Sequence, residues 1–176
     1  MKYFSENFSF QHDFAVAKIT DTYQEENNIE YICIEIEDKV TKDTIGYASI
    51  YLIDINENNY AITDKYAEEN TEDLNNLINI IKGDSKNFMF LEKIYIKEKY
   101  KRQGIGKQFI NGFLKTICLE NDIEYIYLMP SPFGYAVRIE DGSKLTTDKL
   151  VEYYKNLGFS LLNHNVNNEI LMIKAI

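Results

Sequence analysis

Proline, glycine, cysteine and histidine are all scarce in this 176-residue chain, which has two prolines, eight glycines, two cysteines and two histidines. With so few prolines and glycines, no linker or low-complexity segment divides the chain, so residues 1–176 read as one globular domain with enough apolar content to bury a core. Two cysteines without metal-ligand spacing imply no disulfide framework and no metal site; Cys33 in a strand pattern and Cys118 on a helical one read as buried thiols. His12 and His164 stand alone and are assigned no chemistry. No apolar run approaches the length of a membrane span, and Met1-Lys2-Tyr3-Phe4-Ser5-Glu6 lacks the apolar core of a signal peptide. The expectation is a cytoplasmic protein with no membrane partner.

Positive charge is sparse in the first half. Residues 1–85 hold 18 acidic and 6 basic side chains, a net −12, whereas residues 86–176 hold 10 and 13, a net +3. Such an acidic half argues against nucleic acid, which needs a basic face. It either attracts a cation or serves only solubility.

Residues 14–20, 31–37 and 44–55 read as strands. In the second, Ile32, Ile34 and Ile36 alternate with Tyr31, Cys33, Glu35 and Glu37, and the short polar turn that follows makes an antiparallel hairpin with the third. A helix is expected over 71–82, opened by the N-cap Thr71 and closed by Gly83, with Leu74, Leu77, Ile78 and Ile81 as its apolar stripe. Residues 88–96 form a strand, 103–120 a long amphipathic helix, and 123–129 a further strand. Ile105, Phe109, Ile110, Phe113, Leu114, Ile117 and Cys118 give that helix one apolar face. A strand, crossover helix and strand imply a parallel pair with its ligand crevice at the carboxyl ends of the strands. A short helix over 147–157, stopped by Gly158, and a hairpin of 159–162 with 170–176 close the chain.

Between the 88–96 strand and the long helix lies Lys97-Glu98-Lys99-Tyr100-Lys101-Arg102-Gln103-Gly104-Ile105-Gly106-Lys107. The first turn of a helix leaves backbone N–H groups unpartnered, and the positive end of the helix dipole favours an anion there. Gly104 and Gly106 let an anion approach the main chain. The spacing is neither a P-loop nor a dinucleotide fingerprint, because both require a glycine where Phe109 stands. On spacing alone the stretch is either an anion-binding loop or a tight turn.

Tyr100 to Lys107 resembles the acetyl-CoA motif Arg/Gln-x-x-Gly-x-Gly/Ala of the GNAT superfamily of N-acetyltransferases, with Lys101 at the motif's first position. Tyr153-Tyr154-Lys155-Asn156-Leu157-Gly158-Phe159 is similar to that family's second signature. The resemblance implies an α+β fold: a mixed, mostly antiparallel sheet of about seven strands flanked by helices, with one parallel pair at the acetyl-CoA loop. The helix 71–82 is then an insertion before the central strand. It also implies acetyl transfer from acetyl-CoA to a primary amine by direct attack in a ternary complex, without a metal. A non-catalytic CoA-binding or protein-interaction module with the same fold is the alternative.

By position, the resemblance places the CoA pyrophosphate on Arg102, Gln103, Gly104, Ile105, Gly106 and Lys107, and the pantetheine arm along Ile94, Tyr95 and Ile96. The Ile96 N–H then serves as oxyanion donor. Tyr154 matches the tyrosine that protonates the departing thiolate; without the motif it reads as a core aromatic. Strand alternation puts Glu92 on the side of Ile94 and Ile96, as general base or as a lysine's ion-pair partner. Glu35 and Glu37 read as a solvated face or as groups that position a cationic acceptor. Residues 21–30 are too few for the two helices that usually wall the family's acceptor site, so helix 71–82 and the loop 131–146 are the candidate walls, with Ser131 offering a polar contact. The apolar strand 170–176 looks exposed and permits a homodimer.

Overall fold

The strict alternation of the second strand commits Ile32, Ile34 and Ile36 to one core face, and all three are buried. A computed structural model describes residues 15–25, 29–54, 77–78, 87–131, 146–166 and 169–176. Seven strands, β1 (Ala15–Glu25), β2 (Ile29–Asp38), β3 (Thr44–Asp54), β4 (Asn87–Ile96), β5 (Tyr125–Leu128), β6 (Ser160–Val166) and β7 (Glu169–Ala175), form one sheet in the order β1-β2-β3-β4-β5-β7-β6. Only β4 and β5 are parallel. This is the mixed sheet with a single parallel pair that the sequence implies.

The first hairpin is longer than its composition suggests. β1 runs on to Glu25 and β2 begins at Ile29, so most of residues 21–30 are strand. Tyr23 and Tyr31 stack across this pair with centroids 6.3 Å apart. The β2–β3 turn closes on the Asp38 carboxylate, which accepts from the N–H groups of Val40 and Thr41 at 2.8 and 3.0 Å. Those two bonds hold the Asp38 carboxyl below its ordinary pKa.

One sheet face carries the larger core. The helix over residues 105–120 packs there with Ile105, Phe109, Ile110, Phe113, Leu114, Ile117 and Cys118 buried, joined by Val151 and Tyr154 of the helix Thr147–Lys155. The long helix is α-helical over Ile105–Gln108 and Lys115–Glu120 and widens to π over Phe109–Leu114. Burial lifts the Cys118 thiol to about 12, as expected of an inert core thiol. On the opposite face Tyr51, Phe88, Phe90 and Tyr127 enclose Leu77 and Ile78. These two belong to the expected 71–82 helix and are helical; its other residues lie outside the described ones, as does His12.

The C-terminal strand corrects an expectation. β7 lies between β5 and β6 and buries Leu171 and Met172 completely, so it is an interior strand of the sheet and not the exposed one expected. The chain reaches it by passing outside first: β6 takes the sheet edge and the hairpin folds β7 back against β5.

Gly46 marks a close approach between β3 and β4. A Cβ there would lie 2.4 Å from the Tyr95 carbonyl oxygen and 2.8 Å from Ile96 Cδ1. Because a backbone atom has to move, Gly46→Ala is expected to destabilise the protein by about 1–3 kcal/mol, measured as the shift of a urea midpoint at unchanged slope.

Candidate active site

The turn after β4 forms from local chain preferences. A 3-10 turn over Glu98–Tyr100 gives way to Arg102 at φ 62° and Gly104 at φ 83°. The second left-handed residue is a glycine, which reaches that conformation without strain. The Gln108 N–H then bonds the Gly104 carbonyl at 3.0 Å as the first bond of the helix, and no side chain caps its start. The N–H groups of Ile105, Gly106 and Lys107 thus have no intrahelical acceptor, and they sit at the positive end of the helix dipole. A Cβ on Gly104 would meet nothing within 4 Å, so the loop is open to solvent. Several nearby cations are already engaged: Lys97 donates to the Thr44 carbonyl, Lys101 pairs with Glu98, and Lys99 lies 4.7 Å from the Tyr100 ring centroid. Arg102 and Lys107 are exposed beside the loop.

Next to this loop the parallel pair comes apart. β5 matches β4 only from Phe88↔Tyr125 to Leu91↔Leu128, whereas β4 continues to Ile96. The Lys97 N–H bonds Ile45 of β3 at 2.8 Å, so ladder alternation turns the Ile96 N–H away from β3, toward the gap that β5 leaves. Ile94, Tyr95 and Ile96 therefore line the open half of the central strand, directly before the glycine turn.

Glu92 is not where simple alternation puts it. Lys93 pairs with Ser49 and Leu91 with Ile50, which leaves Glu92 as the extra residue of a β-bulge. The bulge resets the alternation: Leu91, Ile94 and Ile96 face the larger core, while the Glu92 carboxylate faces the other side. There it accepts from Ser49 Oγ at 2.6 Å and Tyr31 Oη at 3.1 Å. Burial, reinforced by the neighbouring Glu92 carboxylate, pushes the Tyr31 phenol well above its ordinary pKa and keeps it a donor. The exposed pair Tyr47 and Tyr95 stacks on this same face, centroids 5.0 Å apart. Tyr31 and Ser49 are the site residues that sequence reasoning missed. Strand alternation put Tyr31 on the polar side of β2, but its meeting with Glu92 depends on strand register. Glu35 and Glu37 are both engaged, Glu35 by the Thr44 hydroxyl and Glu37 by Lys18.

The tyrosine helix is built to end sharply. Thr146 caps its start by accepting from the Lys149 N–H, and at its end Phe159 N–H bonds back to the Tyr154 carbonyl at 3.1 Å while Gly158 N–H bonds Lys155 at 2.9 Å. This is the Schellman pattern, with Gly158 at φ 91° in the left-handed position. The pattern stacks Phe159 edge-on against Tyr154 at 5.6 Å. The Leu-Gly-Phe segment is thus a device for holding Tyr154. Lys174 secures the same corner by donating to the Leu157 carbonyl and to Asn111 Oδ1 of the long helix. Tyr154 is 8% exposed and Tyr153 is 40% exposed. Burial raises the pKa of both phenols.

The sequence matches the model of the acetyltransferase (GNAT) family over residues 1–132, which contain the loop, the gap and the bulge. The chain belongs to the GNAT acetyltransferase family. No curated protein sequence matches it. Among solved structures, a mosquito arylalkylamine N-acetyltransferase like 5b aligns with a TM-score of 0.52 at 11% identity, covering 82% of this chain and 74% of that one. The KacTA–DNA complex aligns at 0.50 and 12%, covering 82% and 67%. A GNAT-family acetyltransferase from Listeria monocytogenes 4b F2365 aligns at 0.49 and 14%, covering 82% and 64%, so this chain spans less than two thirds of it. At such identities these likenesses show the fold alone.

GNAT acetyltransferases take their acyl group from acetyl-CoA. The residues of this chain fit that donor: uncapped N–H groups, an unobstructed Gly104 and a strand edge that β5 leaves unpaired among the described residues stand side by side. Among the described residues, no group of three or more His, Cys, Asp or Glu is placed to hold a metal ion, and no helix is long and apolar enough to cross a membrane. The loop 132–145, one candidate wall of the acceptor site, lies outside the described residues, whereas Ser131 at its start is partly buried.

Proposed function

We propose that residues 1–176, acting as one cytoplasmic domain, transfer an acetyl group from acetyl-CoA to a primary amine by direct attack in a ternary complex. The reading is carried above all by the parting of β4 from β5 beside an uncapped glycine turn. Acetyl-CoA supplies an activated thioester. The N–H groups at 102–107 bind its pyrophosphate, the open edge Ile94–Ile96 aligns the pantetheine arm, and the Ile96 N–H receives charge that develops on the thioester oxygen. Tyr154 donates the proton that the leaving thiolate needs.

On the other face, Glu92 takes the proton from the acceptor ammonium, held in place by the Tyr31 and Ser49 hydroxyls. The net −12 of residues 1–85 and the exposed Tyr47–Tyr95 pair suit a cationic acceptor, a polyamine-like molecule or a protein amine. Glu92→Gln is expected to lower kcat by about ten- to a hundredfold and leave the Kd for acetyl-CoA unchanged, read by thiol release and calorimetry.

The test of the whole reading is calorimetric titration of acetyl-CoA, CoA and ATP, followed by a screen of amines for thiol release. Binding of acetyl-CoA and CoA but not ATP, with release on adding an amine, is the expected result. Binding without release for every amine class would favour a CoA-binding module, and no CoA binding would end both readings.

A further inference from the structure

The start of the long helix carries one contact that the family motifs do not describe. A Cβ built on Gly106 would lie 2.8 Å from the hydroxyl of Tyr153 and 3.9 Å from Ile94 Cδ1. The phenol of Tyr153, the first turn of the helix and the open end of β4 therefore meet at one point. We propose that Tyr153 is a positioning residue for the acyl donor, its hydroxyl donating to a pyrophosphate oxygen of acetyl-CoA across the slot that Gly106 leaves open. This rests on the acetyl-CoA reading given under Proposed function.

Three observations support the assignment. First, Tyr153 and Tyr154 are consecutive on a helix and diverge by about 100°, so they cannot do the same work. Tyr154 is held in the core by Phe159, whereas Tyr153 is 40% exposed and packs edge-on against Tyr154 at 5.3 Å. That contact fixes the ring from behind and leaves its hydroxyl at the helix start.

Second, the Tyr153 hydroxyl makes no hydrogen bond to any described residue. It stands at a helix start whose backbone groups are all donors, so what this corner lacks is an acceptor. A phosphate oxygen satisfies the phenol and the backbone N–H groups together. Third, burial raises the Tyr153 pKa, so the hydroxyl keeps its proton at neutral pH and acts as a donor.

The consequence is a division of labour: Tyr153 holds the donor and Tyr154 acts on the leaving sulfur. It also explains why position 106 is a glycine, since a methyl there would displace the phenol.

The test is a double-mutant cycle on acetyl-CoA affinity by calorimetry, with steady-state kinetics on the same proteins. Tyr153→Phe is expected to weaken acetyl-CoA binding by about tenfold, the loss of one hydrogen bond to a charged group, while kcat at saturating acetyl-CoA stays within about twofold. Gly106→Ala is expected to weaken binding too, and by a smaller factor when Tyr153 is already Phe, because the hydroxyl it displaces is gone. Melting temperatures of all four proteins separate these effects from loss of fold. Unchanged affinity in a folded Tyr153→Phe protein overturns the proposal and leaves the acetyl-CoA reading intact. So does a fall in kcat at unchanged affinity, which would place Tyr153 at the sulfur. Failure of the unaltered protein to bind acetyl-CoA removes the underlying reading instead, so the two failures are told apart by which protein fails.

Discussion

Replacing Tyr154 with phenylalanine is expected to lower kcat by about a hundredfold or more while the Kd for acetyl-CoA stays unchanged. The substitution removes one oxygen and leaves the ring edge-on to Phe159 and beneath Tyr153, so the packing that holds the corner survives. On the role proposed for Tyr154, what is lost is the proton for the departing thiolate. Burial, with a smaller contribution from Tyr153, raises the pKa of this phenol above its ordinary value. Because the folded pKa is raised, the acid form persists to higher pH, and any alkaline limb of the rate profile due to Tyr154 lies above about pH 10. In the phenylalanine protein that limb disappears. Full kcat in a folded Tyr154→Phe protein would show that the phenol only packs.

Gly106→Glu is expected to abolish measurable acetyl-CoA binding without unfolding the protein. The new Cβ enters space held by the Tyr153 hydroxyl, and the carboxylate then lies where the pyrophosphate is to sit. Two like charges about 4 Å apart repel by about 4 kcal/mol at the effective dielectric of a protein surface, which corresponds to about a thousandfold in Kd. The helix itself gains from the change, since a carboxylate in the first turn complements the dipole and an interior glycine is a poor helix former. An unchanged or raised melting temperature together with lost binding therefore locates the effect at the loop. Normal acetyl-CoA affinity in this variant would place the pyrophosphate elsewhere.

Local chemistry made much of this site readable in advance. The alternation of Ile32, Ile34 and Ile36, the apolar face from Ile105 to Cys118 and the helix stop at Gly158 each involve residues within a turn or two of one another, and all appear as expected. Glu92 shows where such reasoning stops. Its side is set by a bulge, and the bulge exists because Ser49 and Ile50 of another strand pair with Lys93 and Leu91 and skip it. No periodicity within β4 contains that information. The same holds for β7, whose apolar composition fits an exposed or an interior strand equally well until β6 takes the edge.

The order of elements, the glycine loop and the tyrosine signature were all present in the chain as written, because hydrophobic period, helix capping and backbone freedom act over a few residues. Folding in three dimensions alone decided which face Glu92 occupies, which hydroxyls hold it, and that Tyr153 reaches Gly106 from 47 positions away in the chain. Those pairings arise when separate elements dock on one sheet, and their geometry is a property of the packed core.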